Sequence, residues 1–133
     1  MRQLLYQVMR GDTMVKKKMN MEAALAHLGG SKALFDTLII GFYNQYRHVD
    51  KDIKKLLETG NQEDARLLAH SIKGLSGNLG ATELVEKSKA LEVAIEANLD
   101  TRASDLKAFS KALKDVLEEI VVLLDAVEAT YKE

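Results

Sequence analysis

The 133-residue chain contains no cysteine, no proline and no tryptophan, and only 5% of its residues are aromatic. Without cysteine it cannot form disulfides, use a thiolate nucleophile or build a cysteine-based metal site. Without proline, its helices can run long distances without interruption. No apolar run approaches the roughly 18 residues that a membrane-spanning helix needs, and no signal peptide is visible. We therefore expect a cytoplasmic protein that makes no membrane contact.

The chain also has no excess of charge of either sign. Although 29% of its residues are charged, the formal net charge is only −1. A nucleic-acid partner would favour a basic face and an aromatic platform, so we expect none. The length and the hydrophobic content of 47% are typical of one globular domain with a core of its own.

What the sequence does contain is helical periodicity in every patterned segment, with no candidate strand. The predicted helices span about 21–27, 31–46, 50–58, 61–79, 82–98 and 101–131. Asn20, Ser31 and Asn61 are expected N-caps, and Gly80 is expected to end the fourth of these helices. We predict an all-α fold, an antiparallel four-helix bundle with a short N-terminal accessory helix, formed by residues 20–131.

Residues 1–19 differ from the rest and are interpreted as an N-terminal extension or linker. Leu4, Leu5, Val8 and Met9 have helical spacing and are followed by a run of three lysines. A short frayed helix and a linker would explain this pattern. The stretch could equally be the remnant of a longer upstream sequence, or a helix that packs on the bundle or on a second copy.

One helix carries an exposed histidine on an otherwise ordinary amphipathic pattern. Leu68, Ile72, Leu75 and Leu79 fall within a sector of about 60° on a helical projection. His70 lies about 160° from Leu68 and Ile72 on that projection, so it should face solvent.

Two glycines, Gly74 and Gly77, project on the same outer side, with Arg66 and Lys73 at its edge. Glycine inside a helix costs about 0.5–1 kcal/mol relative to alanine, so a glycine pair on a solvent face indicates that something approaches closely. Neutral imidazole can act as a nucleophile and hold a phosphoryl group, whose charge Lys73 could offset.

The stretch from Ala69 to Ala81 reads Ala-His-Ser-Ile-Lys-Gly-Leu-Ser-Gly-Asn-Leu-Gly-Ala. It resembles the signature of histidine-containing phosphotransfer (HPt) domains, approximately Ala-His-x-Leu-Lys-Gly-x-Ser/Ala-x-x-Leu/Phe-Gly-Ala, with Ile72 in place of the usual leucine. The resemblance extends to Leu91-Glu92 in the next helix and back to Gly29-Gly30, and it covers roughly residues 20–127.

This resemblance implies a phosphocarrier of two-component phosphorelays rather than an enzyme with its own ATP site. His70 would be the phospho-acceptor, Lys73 the cation that stabilises the phosphoryl group, and Gly74 the gap that admits the partner. The partners would be response-regulator receiver domains or a sensor histidine kinase. The chain would need no cofactor, because the receiver domain supplies the Mg²⁺. The remaining residues that ring His70 are candidates for docking: Arg66, Leu67, Gly77 and Asn78.

Other functions stay open at this point. The chain could be a helical adaptor that binds receiver domains without taking phosphate, or a purely structural bundle. The histidine, lysine and glycine together favour phosphotransfer, because an adaptor has no need of the histidine. No metal site is expected at His70, because Lys73 and Gly74 occupy the positions where a second ligand would stand. Leu67 could be a partly buried flank residue instead of a docking anchor.

Overall fold

The computed structural model describes residues 17–132, with side chains described as far as Asp125. This part of the chain is all-helical and contains no strand, which confirms the predicted fold class. None of its helices is both long and apolar enough to cross a membrane. The helices are α1 (Met21–His27), α2 (Lys32–Tyr46), α3 (Val49–Glu58), α4 (Gln62–Asn78), α5 (Thr82–Glu96) and α6 (Arg102–Lys132).

Short connections between consecutive helices produce an antiparallel bundle with four arms. The first arm is divided into α2 and α3 by a break at Arg47 and His48. The contacts then follow the chain, α3 with α4, α4 with α5, and α5 with α6, and α6 closes the bundle against α2 and α3. The short helix α1 lies against α2 and α4, which is the accessory position that the sequence predicted.

The core is formed by the apolar stripes of these arms, as the periodicity predicted. Phe35, Ile39 and Ile53 are fully buried in the first arm, and Phe109, Leu113, Val116 and Ile120 are buried in α6. The three–four spacing of apolar residues in the sequence extends the stripe of α6 to Val127 and Tyr131, whose side chains lie outside the described residues.

The inward face of α4 differs from the expectation based on its large apolar residues. Ile72 and Leu79 are buried as predicted, but Leu68 and Leu75 are only partly buried. The other fully buried residues of this helix are small: Ala65, Ala69 and Ser76. The helix is rotated so that these small residues meet its neighbours. Small side chains allow close approach, and α4 makes its most extensive contact with α5, where Ser88 is also fully buried.

The predicted caps hold at two helices and fail at a third. The side chains of Asn20 and Ser31 accept hydrogen bonds from the backbone N–H groups of Ala23 and Leu34. Asn61 occupies the N-cap position of α4, but its side chain makes no cap hydrogen bond and instead donates to Oγ1 of Thr59 at 2.9 Å. Gly80 ends α4 with a φ of +67°, as its position predicted.

The chain just before α1 is attached to the bundle. The backbone N–H groups of Lys18 and Met19 each donate to the buried carboxylate of Glu119 at 2.9 Å, and the N–H of Asn20 donates to the carbonyl of Gly80 at 2.9 Å. Burial raises the pKa of Glu119, although these two backbone hydrogen bonds act against that effect. Lys18 and Met19 therefore pack on the bundle, whereas residues 1–16 of the predicted extension lie outside the described residues.

Candidate functional site

His70 lies in the middle of α4, on the side of the helix turned away from the core. Its side chain is 56% exposed, as the sequence predicted. The opposite side of the same helix is buried in the bundle, mostly through small residues. This packing fixes the rotation of α4 and therefore the direction of the imidazole.

A carboxylate from the next helix contacts the imidazole ring. Oε2 of Glu92 in α5 lies 2.5 Å from Nδ1 of His70, and Oε1 of the same residue accepts a hydrogen bond from Nζ of Lys73 at 2.8 Å. The Glu92 side chain is only 9% exposed. One nearly buried carboxylate thus links the histidine to the lysine that follows it by one turn.

The charge of Glu92 fixes the protonation of the ring. Burial alone raises the pKa of this carboxyl, but hydrogen bonds from Lys73 and His70 outweigh burial and hold its pKa below the ordinary value. An ionised carboxylate can only accept hydrogen bonds, so Nδ1 of His70 must carry the proton in this contact. In the neutral ring Nε2 is then unprotonated, and its lone pair is available to an incoming group.

Arg66 stands one turn before His70, also close to Glu92. Its Nη1 atom lies 3.7 Å from Oε2 of Glu92. The guanidinium is held mainly by Glu63, with Nε donating at 3.0 Å and Nη2 at 2.6 Å. These hydrogen bonds from the half-buried Arg66 are the main cause that lowers the pKa of Glu63. Arg66, His70 and Lys73 therefore place three potential positive charges around one carboxylate.

The outer surface beside His70 is open. Gly74 and Gly77 are both exposed, and a Cβ atom added at either one would find no neighbouring atom within 4 Å. No internal packing demands glycine at these two helical positions. The structure thus leaves a free approach along the side of α4 that carries the imidazole.

The other two candidate docking residues, Leu67 and Asn78, are exposed. Leu67 is 46% exposed, and it is one of five large apolar side chains in the described residues with comparable exposure. Asn78 lies beside a small groove of about 140 Å³ between α2 and α4, whose lining includes Gly41 and Leu75. The predicted site residues thus divide into a charged group that contacts α5 and an uncharged group that faces outward or toward α2.

Glu92 is the functional candidate that the sequence reasoning missed, since it appeared only as part of the family resemblance. A signal for it was present in the chain. His70 lies ten residues before Gly80 and Glu92 lies eleven residues after Ala81, so an antiparallel hairpin that turns there brings the two side chains to the same level. Glu92 directly follows the buried Leu91, so it lies at the border of the α4–α5 contact, where its side chain can reach His70.

No metal site is present among the described residues, because nowhere in that part of the chain do three His, Asp or Glu side chains come close enough to hold an ion. The two other histidines, His27 and His48, are exposed and make no side-chain hydrogen bond to a described residue. The combination of an exposed imidazole with a buried carboxylate and a lysine is found only at His70 within residues 17–125.

Comparison with known protein families identifies the family of this chain. Residues 41–129 match the family model described as the Hpt domain. The match covers more than half of the chain and includes α4, α5 and most of α6, so the chain belongs to the Hpt domain family. Hpt domains are phosphocarriers that act in histidine phosphotransfer within phosphorelays. No curated protein and no solved structure matched the chain.

Proposed function

We propose that His70 is the phosphoryl acceptor of this Hpt domain and that Nε2 is the atom that carries the phosphoryl group. The observation that supports this assignment is the 2.5 Å contact between Nδ1 of His70 and the carboxylate of Glu92. It leaves Nε2 as the free nitrogen, on a side chain that is more than half exposed.

The donor in this proposal is the aspartyl phosphate of a receiver domain. The lone pair of Nε2 attacks phosphorus, the P–N bond forms, and the bond from phosphorus to the aspartyl oxygen breaks, so that the aspartate leaves as a carboxylate. The proton on Nδ1 stays in place. The ring gains positive charge as the P–N bond forms, and the adjacent Glu92 carboxylate stabilises that charge.

Transfer onward reverses these steps. A carboxylate of a second receiver domain attacks phosphorus, the P–N bond breaks, and its electron pair returns to Nε2. The neutral ring with its proton on Nδ1 is restored. A histidine kinase could load the same nitrogen.

Lys73 has two roles in this proposal. It neutralises part of the charge of Glu92 in the resting state, through the 2.8 Å hydrogen bond. Its Nζ has three N–H donors, so it can donate to a second partner besides Glu92. Because Lys73 lies one turn from His70, that partner can be an oxygen of a phosphoryl group on the ring. The side chain is 30% exposed, which leaves it room to move between these partners.

Gly74 provides the gap through which the active site of the receiver domain approaches. The receiver domain supplies the Mg²⁺. Leu67, Gly77, Asn78 and Arg66 lie on the same helix as His70 and would contact the docked receiver domain. Leu67 provides the apolar contact and Arg66 a positive charge for the acidic rim of a receiver site.

The test is a transfer assay in which this chain is mixed with a phosphorylated receiver domain and Mg²⁺, with radiolabelled phosphate. We expect label on this chain that is lost in acid and retained in base, as a phosphoramidate requires. The variant His70→Gln should carry no label and should keep the helical circular dichroism of the parent, because the side chain faces solvent.

Matched controls are His27→Gln and His48→Gln, which remove the other histidines and should label normally. If a panel of receivers binds the chain but never labels it, the alternative function as a non-phosphorylated helical adaptor would replace the proposal. Equal labelling of His70→Gln and the parent would instead assign the phosphoryl group to another residue.

A further inference from the structure

A second surface lies on the edge of the bundle opposite to His70. A groove runs between α6 and the first arm, along α3 and the end of α2, in two sections of about 780 and 670 Å³ that share Ser110 as a common wall. His70 and Glu92 lie on the edge between α4 and α5, and neither section of the groove includes a residue of those helices. The groove is therefore lined by none of the residues that form the site at His70.

The floor of this groove is apolar. It is formed by side chains that are only partly buried by the rest of the bundle, in contrast to the closed core beneath them. These residues are Tyr43, Leu57, Leu106, Leu117 and Val121.

The walls of the groove are basic. On one side stand Arg47, Lys51 and Lys54, and on the α6 side stand Arg102, Lys107 and Lys114. The acidic residues of the lining are fewer: Asp50, Glu58, Asp100 and Glu118. In a chain with a net charge of −1, this is a local concentration of positive charge.

Most of these cations are available to a ligand. None of Lys51, Lys54, Lys107 and Lys114 forms an ion pair with another residue of the described part, whereas the neighbouring Lys111 is paired with Asp115 at 3.5 Å. All four are exposed.

We propose that this groove binds an amphipathic helix of another protein that carries acidic residues beside an apolar stripe. The groove follows α6 from Arg102 to Val122, a distance of roughly 30 Å at 1.5 Å per residue, which matches a helix of about 20 residues. The apolar stripe of such a helix fills the floor while its glutamate or aspartate side chains meet the lysines on the walls.

Charge and shape disfavour the other occupants. The unassigned N-terminal segment of this chain carries Arg2, Arg10 and Lys16 against Asp12, so the basic walls repel it. A second copy placed symmetrically would bring the same basic walls together. A nucleic-acid backbone has nothing to place on the apolar floor, and a membrane surface is too flat to enter a groove.

The experiment uses the full chain and a fluorescein-labelled peptide of about 20 residues, with leucine at helical spacing and glutamate on both flanks of the leucine stripe. Binding is followed by fluorescence anisotropy and located by amide chemical-shift changes. We expect saturable binding that weakens with salt and shifts in α3 and α6. The double variant Lys51→Glu with Lys107→Glu should weaken binding about tenfold or more. The double variant Lys55→Glu with Lys87→Glu makes the same charge change outside the groove, and it should bind like the parent.

Several results would overturn the proposal. One is equal binding of a peptide with lysine flanks, or of a peptide of the same composition with the leucines dispersed. Another is preference for vesicles of anionic phospholipid over the peptide. Stronger peptide binding by the double variant Leu4→Asp with Leu5→Asp would assign the groove to the chain's own N-terminal segment. Peptide binding that dissociates a dimer would assign it to a second copy. Phosphoryl transfer to His70 should be unchanged in both lysine variants, so the two proposals fail separately.

Discussion

Glu92 places its carboxylate 2.5 Å from Nδ1 of His70, although the two residues are 22 positions apart in the chain. The contact depends on two helices that pack closely along small residues, with Ala69 and Ser76 on α4 and Ser88 on α5. A glutamate side chain is short, and a wider helix spacing would leave it out of reach of the ring. Close packing of α4 on α5 thus determines which ring nitrogen is free.

The first prediction concerns the charge of Glu92. The variant Glu92→Gln keeps the size of the side chain, but its amide can donate as well as accept, so it no longer requires the proton on Nδ1. We expect transfer to His70 to slow about tenfold, equivalent to about 1.4 kcal/mol in the barrier. The ring ¹⁵N shifts of His70 should show a mixture of tautomers, which a merely structural role for Glu92 would not produce.

The control for this variant is Glu96→Gln, one turn further along α5 on an exposed residue. It should leave both the transfer rate and the ring tautomer unchanged. A Glu92→Gln protein with normal transfer and an unchanged tautomer would mean that the contact with His70 does not prepare the nucleophile.

The second prediction separates stability from activity at Gly74. The variant Gly74→Ala should raise the free energy of unfolding by about 0.5–1 kcal/mol, because the helix gains a better former and the added Cβ meets open space. Gly74→Leu should also fold normally. Both should transfer more slowly than the parent, with leucine the slower, since the longer side chain blocks the approach to His70.

Denaturant unfolding and the transfer assay, run on the same preparations, check this prediction. If the leucine variant transfers at the parental rate, close approach at this position is not needed and the glycine has another origin.

The helices and the exposed histidine could be predicted from the sequence because both depend on local spacing. Periodic apolar residues determine which segments are helical, and an imidazole opposite a row of leucines must face outward. The two residues that break the first arm, Arg47 and His48, also lie in a polar stretch that ends one apolar pattern and begins the next.

The position of Glu92 could not be predicted in the same way, because it depends on the rotation and register of two packed helices. Large residues such as Leu68 and Leu75 suggested one inward face, whereas Ala65, Ala69 and Ser76 occupy it in the structure. Small residues contribute little to a hydrophobic pattern, yet they determine how closely helices approach. The hydrogen bond of the Asn61 side chain could not be predicted from its position either. Asn61 was expected to cap α4, but its side chain donates to Thr59 instead.

The third prediction concerns the end of α4. Gly80 has a φ of +67°, and a Cβ there would lie 2.4 Å from the carbonyl oxygen of Asn20. Gly30 has a φ of +81° but nothing within 4 Å of an added Cβ. Gly30→Ala should therefore lower the free energy of unfolding by about 1–2 kcal/mol, which is the energy of the left-handed conformation for an alanine. Gly80→Ala should lower the free energy of unfolding by about 1–3 kcal/mol more than Gly30→Ala does, because the rigid backbone of Asn20 must move.

The difference between the two free energies of unfolding isolates the contact between the end of α4 and the segment before α1. Equal losses in the two variants would mean that the segment around Asn20 moves aside without cost, and that its hydrogen bond to Gly80 contributes little.

The last prediction follows from the pKa of Glu92, which lies below the ordinary value of 4.5 in the folded chain. A carboxyl with a depressed folded pKa binds fewer protons than in the unfolded chain, so its contribution to stability is present above the unfolded pKa and is lost as the pH falls through the folded pKa. The free energy of unfolding should therefore decrease below about pH 5. In Glu92→Gln the decrease should be smaller, so the difference between parent and variant should narrow as the solution becomes more acidic.

Chemical denaturation at a series of pH values between about 7 and 3 measures this difference. The pKa of Glu119 is raised, so its effect on the pH dependence of stability is opposite to that of Glu92. Glu119 is present in both the parent and the variant, so its effect cancels in the difference between their free energies of unfolding. Glu58→Gln is the control, because the Glu58 side chain is exposed and makes no hydrogen bond to a described residue, and its curve should run parallel to that of the parent. A parallel curve for Glu92→Gln would mean that protonating this carboxyl costs the fold nothing. The ionic contacts with His70 and Lys73 would then hold the proton on Nδ1 without contributing to stability.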